Sequence, residues 1–174
     1  MKVLIPGSYD PCTRGHLDLI ERAAARYEEV VAAVFINPEK SGLFPYRERV
    51  DFLRLATAHL PNVTVTFSDG MVADYVRENA IDQIVKGYRD ERDLQYEKAM
   101  ADYNLAHSGV GTELLPAAPA YVSVSSTAVR EALASGHGIE TLVPPEAAPA
   151  IRAAYEKVRK SSKNGKSCEK DRES

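Results

Sequence analysis

Cysteine is nearly absent. The chain has two, Cys12 and Cys168, far apart in sequence, which excludes both a disulfide framework and a zinc pattern. No His/Cys cluster has metal-ligand spacing, so no protein-held metal is expected. No apolar run reaches the roughly 18 residues that a membrane-spanning helix needs. The opening Met1-Lys2-Val3-Leu4-Ile5-Pro6-Gly7 is too short for a signal-peptide core and runs straight into turn residues. A buried strand is expected there, and a cytoplasmic location with it. An excess of positive charge is also missing. Net charge is −3, although the last eighteen residues, Lys157 to Ser174, hold seven Lys/Arg against three Asp/Glu. The acidic body excludes general nucleic-acid binding, which needs a basic surface. Any anion must therefore be held by a local cluster of cations.

What is there suits one domain. The 174 residues are 44% hydrophobic, enough for a single core. Residues 1–159 read as that domain, and 160–174 as a polar, basic, disordered tail. Short apolar runs alternate with amphipathic stretches. Lys2–Pro6, Glu29–Ile36, Val63–Phe67, Gln83–Lys86 and Glu113–Pro116 read as strands. Gly15–Arg26, Pro45–Leu60, Met71–Asn79, Arg92–His107, Ser126–Ser135 and Glu146–Arg159 read as helices, from apolar residues at helical spacing and from Pro and Gly at their ends. The β-α-β-α order predicts an α/β fold: a single doubly wound, Rossmann-like domain with a mostly parallel five-stranded sheet and helices on both faces. Ligands of such sheets sit beyond the carboxyl ends of the strands, so the chemistry should lie just after each strand.

The residues there are distinctive. After the first strand comes Pro6-Gly7-Ser8-Tyr9-Asp10-Pro11-Cys12-Thr13-Arg14-Gly15-His16. Gly7 admits a close backbone approach, Ser8 offers a hydroxyl, and Gly15-His16 opens a helix whose first N–H groups favour anions. Alone, His16 would read as a polar residue of a first turn; within this loop it reads as a donor to a phosphate. After the second strand stands Asn37-Pro38-Glu39-Lys40, with one cation. After the fourth stands Val85-Lys86-Gly87-Tyr88-Arg89, two cations flanking a glycine, followed by Asp93-Leu94-Gln95-Tyr96-Glu97 on a helix. Before the fifth helix, Tyr121-Val122-Ser123-Val124-Ser125-Ser126-Thr127-Ala128-Val129-Arg130 gathers hydroxyls that cap it, bind phosphate, or both. After the third strand, Phe67-Ser68-Asp69-Gly70-Met71-Val72 offers an apolar residue in Met71, which packing alone would also explain.

Thr13-Arg14-Gly15-His16 resembles the T-x-G-H signature of the nucleotidyltransferase superfamily, whose other form is H-x-G-H. The ordered set of five motifs, over roughly residues 1 to 158, resembles the phosphopantetheine adenylyltransferase family. Two departures stand out: Ser8-Tyr9 where that family usually has Thr or Ser and then Phe, and Lys86 where it has arginine. Lysine keeps the charge but loses the bidentate fork. The resemblance implies transfer of AMP from ATP to 4′-phosphopantetheine, giving dephospho-CoA and pyrophosphate, with Mg²⁺ carried on the ATP phosphates. It implies His16, Lys40 and Arg89 as the charge-stabilising catalytic residues. It assigns ATP to Ser8, Tyr9, His16, Gly87, Tyr88, Arg89, Glu97, Tyr121, Val122, Ser123, Val124, Ser125, Ser126 and Thr127, and the acceptor to Ser8, Lys40, Met71 and Lys86. It also implies a homo-oligomer, typically a hexamer, with feedback by coenzyme A. Cys12 falls at a variable position and is not read as catalytic. Two other readings stay open: a sibling enzyme with another phosphate acceptor or nucleotide, and a nucleotide-binding module without catalysis.

Overall fold

A computed structural model describes residues 1–170, with side chains through Asn164. Five strands form one wholly parallel sheet in the order β3-β2-β1-β4-β5. They are β1 (Lys2–Gly7), β2 (Glu29–Phe35), β3 (Val63–Ser68), β4 (Gln83–Tyr88) and β5 (Thr112–Pro116). The helices are α1 (Arg14–Ala24), α2 (Tyr46–Thr57), α3 (Val72–Glu78), α4 (Glu91–Ser108), α5 (Ser126–Ala134) and α6 (Ala148–Lys170), with a 3₁₀ turn at Pro119–Tyr121. The expected strands and helices all form, and all ends but that of the last helix move by only a few residues.

The largest difference is at the C-terminus. α6 passes Arg159, where the apolar pattern ends, and runs to Lys170. It takes in part of the stretch expected to be disordered, because the lysines and serines of residues 157–163 include no helix breaker. Residues 171–174 of that stretch lie outside the described residues.

Side-chain alternation along the strands splits the core between the two faces of the sheet. Val3 and Ile5 join Ala32, Val34, Ile20, Leu53, Val129 and Ile151 on the face covered by α1, α2, α5 and α6. Leu4 turns the other way, to Val31, Ala33, Val76 and Ile84. A central parallel strand buried on both faces must read as a continuous apolar run, and Val3 to Ile5 are all at most 1% exposed. From β1 the chain winds outward through β2 to β3, then returns to β4 and winds the other way to β5. The carboxyl ends of β1 and β4 therefore diverge, and a crevice opens between them.

Candidate active site

A cleft of about 440 Å³ occupies that crevice. One wall is the loop from β1 to α1, with Gly7, Ser8, Tyr9, Asp10, Thr13 and His16. The facing wall is the end of β4, Lys86 to Arg89, backed by Asp93, Tyr96 and Glu97 of α4. Tyr121 and the residues 124–127 before and within the start of α5 close the third side, with Arg130.

His16 stands in the first turn of α1, held by a capping box. Thr13 is the N-cap and its Oγ1 accepts the His16 backbone N–H at 3.3 Å, while the Thr13 backbone N–H donates to His16 Nδ1 at 2.9 Å. An imidazole nitrogen that accepts from a backbone N–H carries no proton, so the neutral ring bears its proton on Nε2. Burial lowers the His16 pKa to about 4, and the charges of Lys86 and Arg89 push the same way. A histidine in this state is a neutral donor, not a cation, at physiological pH.

The ring rests on Tyr9, whose centroid lies 4.8 Å away at a 59° tilt. Tyr9 takes a left-handed backbone, φ 48°, and its buried hydroxyl donates to Ile5 O at 2.9 Å. Burial raises its pKa well above the ordinary tyrosine range. Its side chain thus forms the floor under His16. A Cβ at position 7 would stand 3.1 Å from the Tyr9 ring, so Gly7 leaves room for that floor. Cys12 is also buried, and desolvation pushes its thiol up to about 12. A thiol so far from ionisation is no nucleophile.

The cations of the cleft are each tethered. Lys86 Nζ lies 3.3 Å from Glu97 Oε1 and donates to Pro6 O at 3.3 Å. Arg89 Nε lies 3.0 Å from Asp93 Oδ2. Arg130 Nη1 donates to Asp10 O at 2.8 Å, and Nη2 to Thr127 Oγ1 at 3.0 Å. At the start of α5, Ser125 caps the helix by accepting the Ala128 N–H at 3.0 Å, and Ser126 Oγ donates to Pro11 O at 2.8 Å. Both hydroxyls support the helix start, and an anion here would meet the first-turn N–H groups of the helix together with the Ser125 O–H.

The cleft gathers most of the expected site: Ser8, Tyr9, His16, Lys86, Gly87, Tyr88, Arg89, Glu97, Tyr121, Val124, Ser125, Ser126 and Thr127 all line it. Lys40, Met71, Val122 and Ser123 do not. Lys40 is exposed in the turn after β2, where its N–H donates to Asn37 O at 3.1 Å. Met71 is 53% exposed before α3. Sequence reasoning did not single out Arg22, Tyr96 or Arg130 as site residues, though all three line the cleft.

It also missed an adjoining recess of about 180 Å³, which shares Gly7, Ser8, Lys86 and Glu97 with the cleft. The recess continues between Phe35, Val72 and Ile84 on one side and Met100, Ala101 and Asn104 of α4 on the other. Asn104 is the one buried side chain of that helix. The spacing of Tyr96, Met100 and Asn104 by four would have put them on one helical stripe, but the mixed residue types gave no apolar pattern to notice.

Among the described residues, no group of three or more His, Cys, Asp or Glu converges to hold a metal ion. No described helix is long and apolar enough to cross a membrane.

Comparison with known proteins adds the following. The cytidylyltransferase-like family matches over residues 4–132. Over 159 residues the chain is 43% identical to the phosphopantetheine adenylyltransferase of Symbiobacterium thermophilum, which covers 91% of this chain and 98% of the relative. Over 164 residues it is 42% identical to the phosphopantetheine adenylyltransferase of Thermobifida fusca, covering 94% of this chain and 99% of that one.

Proposed function

The chain belongs to the cytidylyltransferase-like family, and within it to the phosphopantetheine adenylyltransferases, and on that premise we propose that it joins the adenylyl part of ATP to the phosphate of 4′-phosphopantetheine. An oxygen of the acceptor phosphate attacks the α-phosphorus of ATP and forms a new P–O bond. The bond from the α-phosphorus to the bridging oxygen breaks, and pyrophosphate leaves with the electron pair. Dephospho-CoA is the other product.

The acceptor phosphate is already an anion and needs no base. The protein must instead align two phosphates and neutralise the charge that grows between them. The observation that carries the reading is the neutral His16 ring, fixed by Thr13 and bearing an Nε2–H, among Lys86, Arg89 and Arg130 in one cleft. His16 donates to a non-bridging oxygen of the α-phosphate. Arg89, Arg130 and the N–H groups at the start of α5 hold the rest of the triphosphate, with Ser125, Ser126 and Thr127 shaping that turn. Gly87, Tyr88, Tyr121 and Val124 border the nucleoside, and Glu97 holds Lys86 beside it. Ser8 and Lys86 receive the acceptor phosphate, and Lys40 closes on it from the β2 loop. The adjoining recess takes the arm of the acceptor. Its apolar walls and the buried Asn104 amide suit a chain of methylenes broken by amides, and Met71, one residue before the recess-lining Val72, is proposed to meet the same arm.

Mg²⁺ carried on the ATP phosphates would supply charge neutralisation there. The two carboxylates of the cleft wall, Asp93 and Glu97, are already paired with Arg89 and Lys86, which fits an ion carried by substrate. A cytoplasmic location belongs to the same reading, since ATP is the donor. So does a homo-oligomer. Tyr46 and Phe67 pack at 4.6 Å with a 37° tilt near the end of the edge strand β3, and Phe67 and Met71 are about half exposed, which suits a face covered by another copy.

The test is pyrophosphate release from ATP with 4′-phosphopantetheine, set against nicotinamide mononucleotide, glycerol phosphate and no acceptor. Turnover with phosphopantetheine alone is expected. Turnover with another acceptor would give the chain to a sibling activity, and ATP binding without turnover would make it a binding module.

A further inference from the structure

Asp10 and Arg49 are among the few buried charged side chains described, 6% and 8% exposed. Their pairing joins the loop after β1 to the start of α2, segments 39 positions apart in sequence. The Asp10 carboxylate, in the loop that carries Ser8 and leads to His16, accepts the N–H of Leu43 at 2.8 Å and of Phe44 at 2.9 Å. Arg49, in the first turn of α2, places Nε 3.4 Å from the same carboxylate. It also donates to Phe44 O at 2.7 Å and to Ser8 O at 3.4 Å. On its other side, the Asp10 carbonyl accepts from Arg130. The segment 41–44 that Asp10 grips is the return limb of the Lys40 turn. One buried pair thus holds the Lys40 loop, the Ser8 loop and the start of α5 at fixed spacing.

A buried ion pair is weak support for stability, because desolvation offsets its attraction. Its geometric effect is stronger. We propose that Asp10 and Arg49 are positioning residues, which set the Lys40 loop against Ser8 so that the acceptor phosphate meets the α-phosphorus in line. The inference rests on the acceptor role assigned to Lys40 and Ser8 above. Gly42 provides an independent handle. It is exposed, yet a Cβ there would overlap the Arg49 guanidinium and stand 2.5 Å from Asp10 Oδ2. Gly42→Ala therefore pries the clamp open without cutting into the core.

The experiment compares the full-length wild type with Gly42→Ala, Arg49→Lys and Arg49→Met. Pyrophosphate release is measured at varied phosphopantetheine and at varied ATP, alongside melting temperature and amide exchange at Leu43 and Phe44. Gly42→Ala is expected to raise the KM for phosphopantetheine roughly tenfold to a hundredfold, with the KM for ATP and the melting temperature near those of wild type. Arg49→Lys retains part of what Arg49→Met loses, in the same parameter. Leu43 and Phe44 exchange slowly in the wild type and fast in Gly42→Ala. If Arg49→Met does not fold, Gly42→Ala still decides. An unchanged phosphopantetheine KM in Gly42→Ala, equal losses toward both substrates, or fast exchange at both amides in the wild type overturns the positioning role and leaves the enzymatic activity standing. A wild type inert toward phosphopantetheine overturns the activity, and the positioning role with it.

Discussion

Thr13 and His16 bind each other reciprocally: the Thr13 N–H donates to the imidazole Nδ1, and the His16 N–H donates to the threonine hydroxyl. The same bonds that start α1 fix which ring nitrogen carries the proton. The helix boundary and the proton donor are one piece of local structure, so the donor is preorganised before substrate arrives. Replacing His16 by Ala removes a donor that acts chiefly on developing charge. The expected loss in kcat is about a hundredfold to a thousandfold, with the Kd for ATP near that of wild type by calorimetry. Unchanged turnover would remove His16 from the mechanism.

The lowered His16 pKa has two readable consequences. The ring stays neutral down to about pH 4, so kcat should not fall through His16 titration between pH 8 and about pH 5. Stability behaves differently. An unfolded histidine takes up its proton below about pH 6.5, whereas the folded one waits until about 4. The unfolded chain binds more protons in that window, so stability drops as pH falls from about 6.5 toward 4 and gains nothing from this group above 6.5. Urea unfolding at about pH 7 and about pH 5 should show a smaller loss for His16→Asn than for wild type. Equal losses would mean the ring is free to charge in the folded protein.

Lys86 stands where the resembled family has arginine, and the structure gives it two anchors, Glu97 and Pro6 O. A point charge held this way can face a phosphate without the guanidinium fork. Lys86→Met should raise the KM for phosphopantetheine about tenfold or more, as expected for loss of a charge-assisted hydrogen bond. Lys86→Arg should keep turnover within about a few-fold of wild type, because the charge is retained. If Lys86→Met binds acceptor as wild type does, the lysine serves only to hold Glu97.

Much of this was legible in the sequence. The β1 run Val3-Leu4-Ile5 is apolar without a break because both of its faces are covered, and the β-α-β-α order put the chemistry at the carboxyl ends of the strands. The T-x-G-H box placed His16. Pairings that depend on distant chain segments were not legible. Arg130 reaches Asp10 across 120 positions, and Arg49 reaches Ser8 across 41; no local pattern encodes either. The resemblance assigns Tyr9 to ATP; what the sequence did not show is that its positive φ turns the ring beneath His16. The recess escaped notice because a helix stripe of Tyr96, Met100 and Asn104 mixes polar and apolar residues. Lys40 and Met71 stood after strand ends, as required, yet both are exposed and neither lines the cleft. Being at the correct edge of the sheet does not fix how far a loop leans inward.

The hydroxyl cluster before α5 separates fold from binding. Ser125 Oγ accepts the capping N–H and the Ser126 O–H donates to Pro11 O, so of the two only the Ser125 O–H is left to donate to a phosphate. Ser125→Ala should cost about 1 kcal/mol as a lost N-cap, a fall of about 2–4 °C in Tm for a chain of this size. Its KM for ATP should move little, since the backbone N–H groups that face the anion remain. Arg130→Ala should do the reverse in proportion. It removes a cation from the cleft as well as the bonds to Asp10 O and Thr127, and the KM for ATP should rise roughly tenfold, the worth of one charged hydrogen bond. Melting curves and ATP titrations of the two variants together decide the matter. A Ser125→Ala enzyme with normal Tm and weakened ATP binding would return the hydroxyl to the phosphate and take it from the helix.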